Sequence, residues 1–322
     1  MNILFDNPFY LYQYFSFMVP IIEVNSLSKK FDDITAVNDL SFSVNEKDIY
    51  GFLGQNGAGK STTIRMLLTL IKPSAGEIKI FGKELHSNRH HILEQTGAII
   101  ERPDMYKYLS AYDNLSIFAK MSGVKTSRKL IMDQLAMVGL ADRSSSKVKT
   151  YSQGMKQRLG IAIALVHDPK LIILDEPTNG LDPQGIADMR NLILQLSRQM
   201  GKTVVVSSHL LSEIELIANR MLIINKGKKI AEGAVSELLD PSNTLVRLET
   251  TDDAGTFNKL KDTNWSAKTK MGKEHLELTV NKNEIPQLVA KLTEMGVGII
   301  AINPRHSLED YFLSLTNNEA DA

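Results

Sequence analysis

From residue 20 to about 238, short apolar runs alternate with longer stretches whose apolar positions recur every three to four residues, the pattern of an α/β layer protein. DIYGFLG (48–54), KLIILDE (170–176), TVVVSS (203–208) and RMLIIN (220–225) read as buried strands. Between about 105 and 150 the strand signal vanishes. Helical spacing replaces it, with Leu115, Phe118 and Met121 on one face and Leu130, Ile131, Leu135 and Val138 on another. A helical insertion, about 102–160 in all, is therefore expected within an α/β core.

After LLDPSNT (238–244), whose Asp-Pro and Ser-Asn pairs form turns, the alternation restarts on a smaller scale. TLVRLET and HLELTV predict strands, IPQLVAKLTEMG a helix ended by glycine, VGIIAIN a further strand and SLEDYFLSL a last helix. Residues 243–316 thus predict a small α+β domain, with 317–322, NNEADA, as a frayed tail. At the other end, residues 1–19 are rich in aromatic residues and lack a period, whereas the alternating IIEVNSL follows shortly after Met18. Two readings stand: a start assigned too early, with Met18 the true one, or an interfacial segment touching a membrane or a partner.

Composition narrows the classes. In 322 residues, 37 basic side chains balance 37 acidic ones, so no global field draws the chain to nucleic acid or an anionic membrane, and binding must come from local sites. Cysteine is absent, which excludes disulfide frameworks and thiolate metal sites and fits a reducing compartment. The longest apolar run near the start, YLYQYFSFMVPII, is shorter than the ~20 residues needed to span a bilayer, and no basic residue precedes it. Neither a membrane span nor a signal peptide is expected.

The chemistry lies in three stretches. GQNGAGKST (54–62) fits G-x-x-x-x-G-K-[ST], and it follows a strand and precedes a helical run, as a phosphate-binding loop must. Gly54, Gly57 and Gly59 are expected to take positive φ and turn successive N–H groups toward one point, an anion nest that makes the whole loop, with Gln55, Asn56, Ala58 and Thr62, nucleotide-binding. Lys60 would then reach the β and γ phosphates of ATP, and the Ser61 hydroxyl would ligate Mg²⁺. LIILDEP (171–177) ends a strand in two acids. By itself such a pair is more often a cap or loop start. After a phosphate loop it assigns Asp175 to Mg²⁺ and Glu176 to the general base that activates water. The third stretch, YSQGMKQR (151–158), is in isolation a helix start capped by Ser152.

Together with the other two, YSQGMKQR resembles the signature motif of ABC ATPases, with Ser152 and Gly154 matching and Gln153 and Met155 departing from the commonest form. The resemblance spans 20–238. It implies that Phe31 stacks on adenine, against a simpler reading of Phe31 as a core aromatic. It also implies that Asp182, in NGLDP, lies at a dimer contact and that His209 contacts the γ-phosphate. The other six histidines show no metal-ligand spacing and read as solvated. In this family Ser152, Gln153 and Gly154 would cap the nucleotide of a second subunit, so a single copy of each motif implies a head-to-tail dimer working on separate transmembrane permease subunits at the cytoplasmic face of the membrane.

Glu101, in AIIERPDMY, stands where most of the family has glutamine. Together with the stretch 151–192 and the SLED segment (307–310), this makes the chain similar to the bacitracin and lantibiotic immunity ATPases. That subgroup resemblance implies export of a membrane-active peptide, drug or lipid-like compound. It also places Glu101 near Mg²⁺, a partner this carboxylate would otherwise lack. A multidrug exporter would differ only in cargo. A soluble ABC protein acting on ribosomes or DNA would carry two ATPase domains or long coiled coils, and neither pattern occurs.

Overall fold

The computed structural model describes residues 20–101, 104–238, 244–272 and 275–306, with 305 and 306 described by their backbone alone. The readings of residues 1–19, of the SLED helix and of the tail fall outside this range. The chain divides into two compact units, Met1–Gly233 and Ala234–Ala322.

In the first unit, β1 (Pro20–Phe31) and β2 (Ile34–Asn45) pair antiparallel from Ile22 opposite Val44 to Phe31 opposite Ile34. With β4 (Ala75–Ile80) and the short β5 (Lys83–Glu84) they form a sheet ordered β2-β1-β4-β5. A second sheet is ordered β10-β9-β3-β8-β7-β6. It comprises β3 (Ile49–Leu53), β6 (Thr96–Ile99), β7 (Leu171–Leu174), β8 (Thr203–Ser208), β9 (Arg220–Asn225) and β10 (Lys228–Ala234), and β6, β7, β8, β3 and β9 run parallel. The four apolar runs read from the sequence are β3, β7, β8 and β9, and their centres are buried on both faces, as parallel strands covered by helices are.

One face of this sheet shares a core with the antiparallel sheet and with helix α1 (Lys60–Leu67), in which Ile22, Leu40, Phe52, Ile64, Ile80, Ile173 and Val205 meet. α2 (Arg89–Leu93) leads into β6. On the other side of β3, α7 (Leu211–Ile217) packs so closely that a Cβ on Gly51 would lie 2.3 Å from Ile214 Cγ2.

Between β6 and β7 lie the helices α3 (Ala111–Met121), α4 (Arg128–Met137) and α5 (Gln153–Leu165), followed after β7 by α6 (Pro183–Arg198). One face needs correction. Met121 is 72% exposed, because the stripe that α3 buries runs through Ala111, Leu115 and Ala119 and takes in the polar Asn114. Asn114 is tolerated there because its amide is fully used. Its Oδ1 accepts from the Tyr106 N–H at 2.8 Å, and its Nδ2 donates to the carbonyls of Tyr106 and Ser110 at 3.0 and 2.8 Å.

In the second unit, after the single-turn α8 (Val235–Leu238), β11 (Thr244–Thr250), α9 (Asp253–Leu260), β12 (Thr269–Met271), β13 (Leu276–Val280), α10 (Ile285–Glu294) and β14 (Ile299–His306) form an α+β layer. Its antiparallel sheet, ordered β12-β13-β11-β14, buries Val246, Leu248, Leu278 and Val280 against Leu260, Leu288, Leu292 and Trp265.

Candidate active site

The loop between β3 and α1 brings the phosphate-loop residues to the carboxyl edge of the parallel sheet, where α/β proteins hold ligands. Gly57 and Gly59 have φ of 83° and 105°, as expected. Gly54 does not take positive φ. Glycine is needed at this position because a Cβ would lie 2.7 Å from the Ile224 carbonyl oxygen of the neighbouring strand β9. Ala58 and Lys60 are buried, while Asn56 and Gly57 are exposed and Gln55, Ser61 and Thr62 lie between.

Lys60 is 5% exposed, and its Nζ donates to the carbonyls of Gly54 at 2.6 Å and Gln55 at 3.1 Å. It also lies 3.1 Å from Glu176 Oε1, an ion pair without hydrogen-bond geometry. The second oxygen of Glu176 pairs with His209 Nδ1 at 2.8 Å. Glu176 itself sits at φ 50°, held by its N–H donating to Ser207 Oγ at 2.8 Å. Lys60, Glu176 and His209 are thus connected side chain to side chain, assembled from the start of α1 and the ends of β7 and β8.

Asp175 is 1% exposed; its Oδ1 accepts from Ser207 Oγ at 2.6 Å, whereas its Oδ2 is buried and has no hydrogen-bond partner among the described residues. A cavity of about 570 Å³ lies here, lined by Ser61, Glu101, Gln153, Gln157, Asp175, Glu176, Asn179 and Gly180. An orphaned carboxylate oxygen beside a serine hydroxyl is a donor set for a hard cation, so the residues fit Mg²⁺. Among the described residues no three His, Asp or Glu side chains converge tightly enough to hold a metal alone. A cation at this position would complete its shell with phosphate oxygens and water, as Mg²⁺ does.

Glu101 reaches the rim of this cavity, but its expected lack of a partner is corrected. Its Oε1 accepts from Arg65 Nη2 of α1. Both residues are too far apart in sequence for this pair to be read from a local pattern. Phe31 is 42% exposed at the tip of the β1–β2 hairpin, with Lys29 Nζ 4.7 Å from its ring centroid, which excludes the core-aromatic reading. Ser152 caps α5 by accepting from the Met155 N–H at 3.2 Å, and Asp182 caps α6 by accepting from the Gly185 N–H at 3.0 Å. Among the described residues nothing requires glycine at 154: its φ is not positive, and a Cβ would meet only Leu181 at an ordinary 3.8 Å.

Two of the histidines read as solvated are not. His167 is half-buried; its Nε2–H donates to the Thr96 carbonyl at 3.3 Å, its Nδ1 is buried without a partner among the described residues, and burial lowers its pKa. His275 is also partly buried, beside Glu277 at 3.3 Å. His90, paired with Glu94 on the surface, conforms to the expectation.

Two site residues had no signal in the sequence. Ser207 bridges Asp175 and the backbone of Glu176. Glu213 accepts from Thr178 Oγ1 and from Ser208 Oγ, both at 2.8 Å, and so ties the segment after Glu176 to the one before His209.

The ABC transporter family model matches residues 37–179, a span that holds both Lys60 and Glu176 and joins the two parts of the site. An uncharacterized ABC transporter ATP-binding protein of Bacillus subtilis, YhcH, is 42% identical over 306 residues, covering 93% of this chain and 97% of its own. This chain belongs to the ATP-binding proteins of ABC transporters. The bacitracin transport ATP-binding protein BcrA of Bacillus licheniformis is 40% identical to this ABC protein over 312 residues, 92% of the chain and 98% of the relative. A solved structure, an ATP binding subunit of an ABC transporter, superposes with a TM-score of 0.60 at 30% identity, over 68% of this chain and 91% of that one. The fold is the P-loop ABC ATPase fold, and the enzyme class is ATPase.

Proposed function

We propose that this ATPase drives export of a membrane-active peptide, drug or lipid-like compound through a separate membrane permease, working as a head-to-tail dimer with ATP and Mg²⁺ at two interfaces. The observation that carries the reading is the single cavity in which Ser61, the partnerless Asp175 oxygen and Glu176 converge beside Lys60. The transported class rests on likeness to a protein named for bacitracin transport.

In this reading the phosphates of ATP replace the Gly54 and Gln55 carbonyls as partners of Lys60. Glu176 then loses its cation and is free to take a proton from water. The water oxygen bonds to the γ-phosphorus, the bond to the bridging oxygen breaks, and ADP leaves with the electron pair. His209, already on Glu176, fixes that carboxylate and faces the γ-phosphate. Asp175 and Ser61 would hold Mg²⁺, which neutralises phosphate charge when bound. Phe31 offers its exposed ring to adenine. Ser152, Gln153 and Gly154 reach the second subunit's nucleotide, for which a glycine with no internal reason at 154 supplies close approach. Asp182 meets the partner beside them.

Tyr106, Tyr108, Leu109 and Met121 expose large apolar side chains on the helical insertion, a surface suited to a permease. Among the described residues no helix is long and apolar enough to cross a membrane, which is consistent with a partner that supplies the span.

The deciding experiment is Glu176→Gln, which keeps shape and removes the base. With Mg-ATP, the variant should run as a stable dimer in size-exclusion chromatography and hydrolyse ATP at least about a hundredfold more slowly than wild type. A variant that hydrolyses ATP within about threefold of wild type would overturn the assignment.

A further inference from the structure

The Arg65–Glu101 pair joins two segments that the nucleotide reading uses separately, and its placement on α1 gives it a second meaning. Ser61 and Arg65 stand four residues apart on α1, so they share one face of the helix, about 5–6 Å apart at their Cβ atoms. Glu101 lines the same cavity as Ser61 and Asp175, yet its carboxylate lies on Arg65. Its side chain is 64% exposed and that of Arg65 37%, so the pair is screened by water and cheap to break. Glu101 is held at φ 56°, a left-handed conformation that fixes where its side chain leaves the chain. A glutamine in this place would carry no charge to pair with Arg65.

We propose that Arg65 is a positioning residue that parks the Glu101 carboxylate one helical turn from the cation site, so that Arg65 and the divalent cation compete for it. Binding of the metal–nucleotide then draws Glu101 from Arg65 toward Ser61 and Asp175. The pair is a charge-dependent latch that opens with metal. This inference rests on the nucleotide reading of the cavity.

The test is binding, free of turnover. The affinity of the full chain for a non-hydrolysable ATP analogue is measured by titration calorimetry in Mg²⁺ and again in EDTA, and the ratio of the two is the metal increment. Arg65→Met releases the carboxylate and should raise the increment about two- to fivefold, the range corresponding to one exposed ion pair. Arg65→Lys keeps the charge and should behave as wild type. In the Glu101→Gln protein, Arg65→Met should leave the increment unchanged. Equal tightening in both backgrounds would mean that Arg65 merely repels the cation, and overturns the proposal. An increment lowered or unmoved by Arg65→Met overturns it as well. Absence of analogue binding by wild type even with Mg²⁺ would instead overturn the nucleotide reading beneath it.

Discussion

At the scale of single residues, the site is governed by what each buried polar group touches. Ser207 Oγ serves Asp175 and the Glu176 N–H at once, so Ser207→Ala orphans a carboxylate oxygen and a backbone donor together. We expect a loss of about 1–3 kcal/mol in denaturant unfolding and a fall in steady-state ATP hydrolysis on the order of tenfold. Activity and midpoint both unchanged would show that Asp175 is positioned by other means. His167 sets a pH limit. Burial opposes its charged form, and a proton added at Nδ1 would find no acceptor, with Asp168 and Lys202 as its nearest charged neighbours. The unfolded chain therefore binds this proton more readily than the folded one. Stability is fully present above the ordinary imidazole pKa of about 6.5 and is lost as pH falls through the lower folded value. His167→Gln should flatten the decline of the urea midpoint as pH falls below about 6.5. An identical slope in the variant would remove His167 from the account.

Elements depend on a few such residues at their joints. The stretch preceding α3 carries Tyr106 and Tyr108 to the surface, and it is fastened from within by the fully buried Asn114. Asn114→Ala removes three hydrogen bonds and leaves the Tyr106 N–H unpaired, while the Tyr106 carbonyl keeps the Leu109 N–H at 3.0 Å. The expected cost is about 2–3 kcal/mol in chemical denaturation, with faster hydrogen exchange at the Tyr106 amide. Exchange that is unaltered there would place the support of this loop elsewhere. The parallel sheet is set by close contacts of the same kind. Gly97 admits the backbone of α5, since a Cβ there would lie 2.2 Å from the Ala164 carbonyl oxygen.

For the whole molecule, the division between Gly233 and Ala234 leaves every nucleotide motif in the first unit, and each unit has a hydrophobic core of its own. A chain ending at residue 238 should therefore express in soluble form, melt cooperatively and bind ATP within about threefold of the full protein. Aggregation of the truncated chain would mean that the second unit covers part of the first. The sequence alone determined the four central strands, the phosphate loop, the acidic pair after β7 and the helical insertion. Each is written in consecutive residues whose period, apolar run or motif is a local property. It also showed the capping role of Ser152, because a cap is satisfied three residues away. Tertiary structure alone decided that Glu101 rests on Arg65, that Ser207 and Glu213 complete the site, that Asn114 rather than Met121 is buried, and that Gly54 is needed for a neighbouring strand instead of for its own φ. These partners lie on different strands and helices. A polar group's partner or a glycine's neighbour is chosen by which elements the sheet order places side by side, and no local pattern records that order.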